Sequence, residues 1–180
     1  MKRIFYGCIL LLIPAINLTA QIPDILKNRL GDGIVRDELA RYYITPKRIV
    51  WMSDTTGKKI INPKILLKNG DGQTWFGIGK DQVCQFMNGK TDTCGIILDF
   101  GTELHGAIQL TTATSNRVTP RVRIRFGESV SETMSDVIGD GTTGLKGGAT
   151  NHHAMRDFVV TLPGYGTLEI GNSGFRFARI

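Results

Sequence analysis

Two adjacent histidines, His152 and His153, stand just ahead of Arg156 and Asp157 in the stretch ATNHHAMRDF, directly after the glycine-rich GDGTTGLKGG. Imidazoles hold zinc in tridentate sites, and His105 is the remaining histidine of the chain. Adjacent residues on a strand point to opposite faces, so His152 and His153 share a metal only if the loop bends. The spacing favours a loop boundary at the entry to a strand over a metal centre. Glycoside hydrolysis is the other chemistry to weigh, and it needs a carboxylate on either side of a sugar. Asp99, Glu103, Glu128, Glu132, Asp136, Asp157 and Glu169 are available, but spacing selects no pair among them.

Motifs for other chemistries are missing. The chain has no GxSxG, no HExxH, no paired CxxC and no phosphate-binding glycine loop, so nucleophilic, metallopeptidase and nucleotide chemistry lack support. GDG occurs at Gly31, Gly70 and Gly139, but the spacings of 39 and 69 residues match no repeat. None of the three continues into the acidic ladder of an EF-hand loop. They read as turns, with Asp71 or Asp140 the residues that would help hold a structural calcium ion. No catalytic residue, no metal ligand and no cofactor is assigned.

The elements that would position these side chains begin after a leader. Residues 1–20, MKRIFYGCILLLIPAINLTA, have a basic start, an apolar run interrupted by Pro14, and a small residue at Ala20. This is the pattern of a secretory signal peptide, and the run is too short for a membrane span. Cys8 lies near the beginning of the run, whereas a lipid-bearing cysteine belongs at its end. The expected location is therefore outside the cytoplasm, periplasmic or extracellular.

Removing the leader leaves 160 residues, enough for one domain, and lowers the formal charge from +6 to +4 by the loss of Lys2 and Arg3. Scattered positive charge on an exported chain gives no warrant for a nucleic-acid partner.

Helical patterns are confined to residues 21–44, in IPDILKNRL and RDELARYY. From Thr45 to Ile180 the pattern is of short segments rich in β-branched and aromatic residues, punctuated by Gly, Asn, Asp and Pro. KRIVWMSD, KILLKN, TWFGIG, QVCQFM, GIILDF, GAIQLTTAT, RVRIRF, DFVVTL, GTLEIG and GFRFARI are read as strands of an all-β sandwich or barrel. In RVRIRF, alternation turns Val122, Ile124 and Phe126 to the core and Arg121, Arg123 and Arg125 outward. The arginine row reads as a solvated face paired with acids on a neighbouring strand more readily than as a site for an acidic ligand.

Cys84 and Cys94 flank QFMNGKTDT, whose Asn88-Gly89 is a hairpin signal that would set residue 84 opposite roughly residue 93. Two readings stay open, a disulfide in an oxidising compartment and a pair of buried free thiols.

Taken together, TPKRIVWMSD, ILDFGTELHGAIQL, RVRIRFGESVSETMSD and TNHHAMRDFVVTLPGYGTLEIGNSGFRFARI resemble the N-terminal β-rich region of bacterial α-L-rhamnosidases, particularly those secreted by gut Bacteroidetes. LDFG, RFGES and GFRF occur in the order and context of that family. The resemblance implies a non-catalytic sandwich of jelly-roll or galactose-binding-like type that packs beside an (α/α)6 barrel, where terminal rhamnose is hydrolysed. The family's catalytic RDE motif has Cys-Pro before it and Trp after it. This chain's RDE, Arg36 to Glu38, reads GIVRDELARYY and precedes the sandwich, so Asp37 and Glu38 are read as acids at a helix start.

Three functional expectations follow. The first is an accessory sandwich that supports a catalytic barrel, as a fragment of a longer hydrolase. The second is a free-standing carbohydrate-binding module that stacks sugars on Trp51, Trp75 or Tyr165, with Phe175 assigned to the core. The third, a small autonomous glycosidase, has the least support. In the resembling proteins the TN-H-A-RDF stretch lies where a glycine-rich loop re-enters the sandwich. Asn151, His152 and His153 are thus assigned to holding that loop, and Arg156 and Asp157 to a local or interdomain ion pair.

Overall fold

The computed structural model describes residues 42–68, 83–89, 93–113, 119–135 and 156–180. These lie almost entirely in one unit, Tyr43–Ile180. The fold is an all-β sandwich. Its larger sheet has five antiparallel strands in the order β1-β4-β7-β5-β6: β1 (Arg48–Met52), β4 (Ile96–Ala113), β5 (Arg121–Gly127), β6 (Asp157–Thr161) and β7 (Tyr165–Arg179). A two-stranded ribbon pairs β2 (Ile60–Ile61) with β3 (Gln85–Phe86). The helix α1 (Val130–Met134) follows β5 directly.

The core is built on one face of the large sheet. Ile96, Leu98, Phe100, Ile108, Ile124, Phe126, Ile170, Phe175 and Ala178 form its buried cluster, and Val122, Phe158 and Val160 pack against it. Period-two alternation in β5 thus does what RVRIRF predicts. Four phenylalanine rings run through this core from strand to strand. Phe100 of β4 meets Phe175 of β7 edge-on at 5.4 Å, Phe175 meets Phe126 of β5 at 4.6 Å, and Phe126 meets Phe158 of β6 at 6.0 Å. Offset and edge-on pairs each add about 1 kcal/mol beyond area burial. Phe175 is 2% exposed, as its assignment to the core requires.

Three segments differ from the sequence expectation. KILLKN is a 3-10 turn over Pro63–Leu67, because Pro63 fixes the first turn and Asn62 enters it from a left-handed conformation. GIILDF and GAIQLTTAT are one strand, β4, and GTLEIG and GFRFARI are one strand, β7. The glycines between them do not break the sheet. Gly101 (φ 83°) and Gly171 (φ 98°) sit where the β4–β7 register shifts, and they take up the extra residues as bulges. Two long strands thereby replace four short ones. Of the expected helical segment 21–44, residues 21–41 lie outside the described residues, as does the strand TWFGIG, and residues 42–44 are not helical.

α1 starts on a cap. The Ser129 side chain accepts from the Glu132 N–H at 3.2 Å, and Glu132 reaches back to accept from the Glu128 N–H at 2.6 Å. This is a variant of the capping box, in which a serine and a glutamate three residues on satisfy the orphan amides of a first turn. Gly127 lets the helix close on β5, since a Cβ there would meet Glu132 Cβ at 2.9 Å and the Ser129 carbonyl at 3.0 Å.

Candidate functional site

The charged side chains of the sheet gather on the face opposite the core. A row crosses the strands there by register: Trp51 of β1 is opposite Ile97, Ile97 is opposite Arg179, Arg179 is opposite Arg125, and Arg125 is opposite Asp157. The Arg179 guanidinium lies 5.3 Å from the Trp51 ring centroid, reaching over Ile97, which is fully buried. Cation–π contact of this kind is worth about 1 kcal/mol and occupies one face of the indole. Trp51 is half-buried, with its ring edge also against Gly95.

Asp99 occupies the next row. It is 1% exposed and accepts from Arg48 Nε at 2.8 Å, from Arg176 Nε at 2.9 Å and from the Gly101 N–H at 2.7 Å. The Arg176 hydrogen bond, helped by Gly101 and Arg48, outweighs burial and holds the carboxyl down to about 2. Arg176 in turn lies over the Phe177 ring at 4.9 Å.

Asp157 repeats the arrangement. Arg123 grips it through Nε at 2.8 Å and Nη2 at 2.6 Å, and Arg125 Nε adds a contact at 3.1 Å. Burial pushes this carboxyl up, but the hydrogen bond from Arg123 and the charges of Arg125 and Arg123 win, so it lies below its ordinary value. Arg123 and Arg125 of the β5 arginine row are therefore paired with an acid of the neighbouring strand, as its alternation suggests. Arg125 departs from the outward, solvated placement, being only 3% exposed.

Arg156 and Asp157 do not pair with each other. Arg156 Nη2 lies 2.9 Å from Glu128 Oε1 and its Nη1 lies 3.9 Å from Glu132 Oε2, so Arg156 ties the entry of β6 to α1 while Asp157 ties β6 to β5. The ion pairs are local, formed with other partners than expected. Asn151, His152, His153 and Trp75 lie outside the described residues, as do Asp71, Asp136, Asp140 and the RDE of Arg36 to Glu38. Tyr165, opposite Ala113 at the start of β7, is 73% exposed.

β3 does not form the hairpin expected about Asn88-Gly89. β3 pairs with β2, not with a strand after the turn, and the Asn88 side chain accepts from the Cys94 N–H at 2.9 Å. Residues 90–92, between the two, lie outside the described residues. Cys84 and Cys94 are free thiols. Cys94 Sγ faces the Met87 carbonyl at 3.7 Å, and burial pushes the Cys84 thiol up to about 11.

A further constellation, not singled out by the sequence motifs above, centres on Asp54. Asp54, 8% exposed, accepts from the Thr56 hydroxyl at 2.7 Å, the Thr56 N–H at 2.8 Å, the Lys59 N–H at 2.6 Å and the Ile60 N–H at 3.0 Å. The Thr56 hydroxyl and the amides of Ile60 and Lys59 hold its carboxyl far below the usual range. The string SDTTG carries the signal for it, an Asx turn closed by a glycine. Among the described residues no group of three metal-binding side chains converges, and no helix is long and apolar enough to cross a membrane. Of the described carboxylates, Asp54, Asp99, Glu128, Glu132 and Asp157 all accept hydrogen bonds or ion pairs.

No protein-family model matches the chain, and no curated protein matches it. In part it is similar to a solved structure, a rhamnosidase from Klebsiella oxytoca with rhamnose bound. The identity is 19% and the TM-score 0.37, and the match covers 47% of this chain and 16% of that one.

Proposed function

We propose that the chain is a non-catalytic accessory β-sandwich of an exported α-L-rhamnosidase-like glycoside hydrolase, which supports a catalytic barrel in the breakdown of rhamnose-containing polysaccharides. The observation that carries this reading is where the resembling motifs fall. LDFG (98–101), RFGES (125–129) and GFRF (174–177) lie on β4, at the end of β5 and on β7. Asp99 of the first motif is bound by Arg176 of the third, and Gly127 of the second is opposite Phe177 of the third. The motif residues thus build the centre of a sheet and the cap of a helix. They present no opposed pair of free carboxylates for hydrolysis.

Export rests on the leader-like residues 1–20. Tyr165 supports a second reading, a free-standing carbohydrate-binding module, because an exposed aromatic at a strand end can stack on a sugar face.

The test is reconstitution. An α-L-rhamnosidase from which its own N-terminal sandwich has been deleted is mixed with this chain and followed by sedimentation and thermal melting. A complex that melts above the barrel alone supports the accessory role. Independent sedimentation combined with saturable binding of rhamnosyl oligosaccharides through Tyr165 favours the module.

A further inference from the structure

On the charged face of the sheet, β4 and β7 set His105 opposite Gly174. Glu103 lies two residues before His105 on the same strand, so both side chains share a face, and both are exposed. A Cβ placed on Gly174 would have Glu103 Oε1 at 3.7 Å and Arg156 Nη2 at 3.9 Å. The glycine therefore forms a floor without a side chain between a carboxylate and a guanidinium. Arg156 is 15% exposed and is fixed by Glu128 at 2.9 Å, which uses one of the two Nη2 protons and leaves the other for a ligand. None of the side-chain hydrogen bonds or ion pairs found among the described residues involves the side chain of Glu103 or His105, whose backbones belong to the β4–β7 ladder.

We propose that this patch is a shallow subsite for the vicinal hydroxyls of a neutral pyranose. A hydroxyl seated over Gly174 donates to Glu103 and accepts from Arg156, and its neighbour on the ring meets the His105 imidazole. The charge balance selects the ligand class. One carboxylate, Glu103, and one guanidinium, Arg156, face the floor together, so an anion is drawn by one and repelled by the other, while a metal ion lacks three convergent ligands among the described residues. What remains is a neutral group that both donates and accepts. The site rests on the surroundings of Gly174; the choice of rhamnoside as a probe rests on the function proposed above.

The test is an NMR titration of the isotope-labelled full chain with methyl α-L-rhamnopyranoside and with methyl α-D-mannopyranoside, which also carries a cis-diol. Saturable shifts at the amides of Glu103, His105 and Gly174 are expected for at least one sugar. Glu103→Gln and Gly174→Thr should each weaken binding at least tenfold. Gly174 needs no positive φ and its added Cβ meets only ordinary contacts, so the threonine variant should melt with the parent. Glu103→Gln alters an exposed side chain and is the second, independent variant. No saturable shift with either sugar up to about 100 mM, or shifts indifferent to both variants, overturns the subsite. Either result leaves the accessory role standing, whereas turnover of a chromogenic rhamnoside would end that role without moving the shift map.

Discussion

Arg176 donates from Nε to Asp99 Oδ1 at 2.9 Å across 77 positions of sequence, and Arg48 reaches the same carboxylate from the other side at 2.8 Å. One buried acid thus ties β1, β4 and β7 together. Removing a buried charge from between two cations leaves them facing each other, so Asp99→Asn is expected to cost about 2 kcal/mol, below the range for fully buried pairs because the arginines are partly exposed. Urea unfolding of Asp99→Asn, Arg176→Gln and the double variant checks this. The double variant should cost less than the two singles together.

Acid should loosen the fold through the same carboxylates. Asp99 is held at about 2 and Asp157 below 3.8, so the unfolded chain takes up their protons first as pH falls. Their contribution is fully present above roughly pH 4 and is lost as pH drops toward 2. Thermal melts at pH 6, 4, 3 and 2 should show that decline, and Asp99→Asn should make it shallower.

Much of this framework was legible and some was not, for reasons visible at particular residues. Alternation in RVRIRF places Val122, Ile124 and Phe126 correctly, because a period of two is a local property. Asp99, inside IILDF, reads only as an available acid, since its partners lie 51 and 77 residues away. The glycines of β4 and β7 read as turns because composition does not distinguish a bulge from a chain reversal. Asn88-Gly89 reads as a tight hairpin, whereas β3 finds its partner in β2, upstream. Gly174 gives no sequence signal at all, because its proposed role comes from Glu103 on β4 and Arg156 just before β6.

Gly171 has φ 98°, and a Cβ there would lie 2.7 Å from Cε2 of the buried Phe126 ring. Gly171→Ala combines backbone strain with overpacking and should cost about 3 kcal/mol. Differential scanning calorimetry should record a fall in Tm of about 10 °C.

Asp54→Asn should lower Tm as well. An amide nitrogen in place of Oδ2 would face the Lys59 and Ile60 N–H groups, donor against donor. Asp54→Ser, which restores an acceptor near Thr56 only, should recover little, as thermal denaturation would show.

The Cys84 thiol, pushed up to about 11, should be alkylated slowly by iodoacetamide at pH 8 and at full rate in urea. Mass spectrometry of the labelled chain counts the thiols. Both Cys84 and Cys94 should carry the label after unfolding without reductant, and a bridge between them would appear as two missing labels.

The proposed role of this chain is to support hydrolysis without performing it. Its most direct test is the release of 4-nitrophenol from 4-nitrophenyl α-L-rhamnopyranoside by the purified full chain, with a rhamnosidase as positive control. No release above the buffer rate is expected at any pH from 4 to 8. Release that scales with protein concentration, and that a single carboxylate substitution abolishes in a chain that still folds, would contradict it.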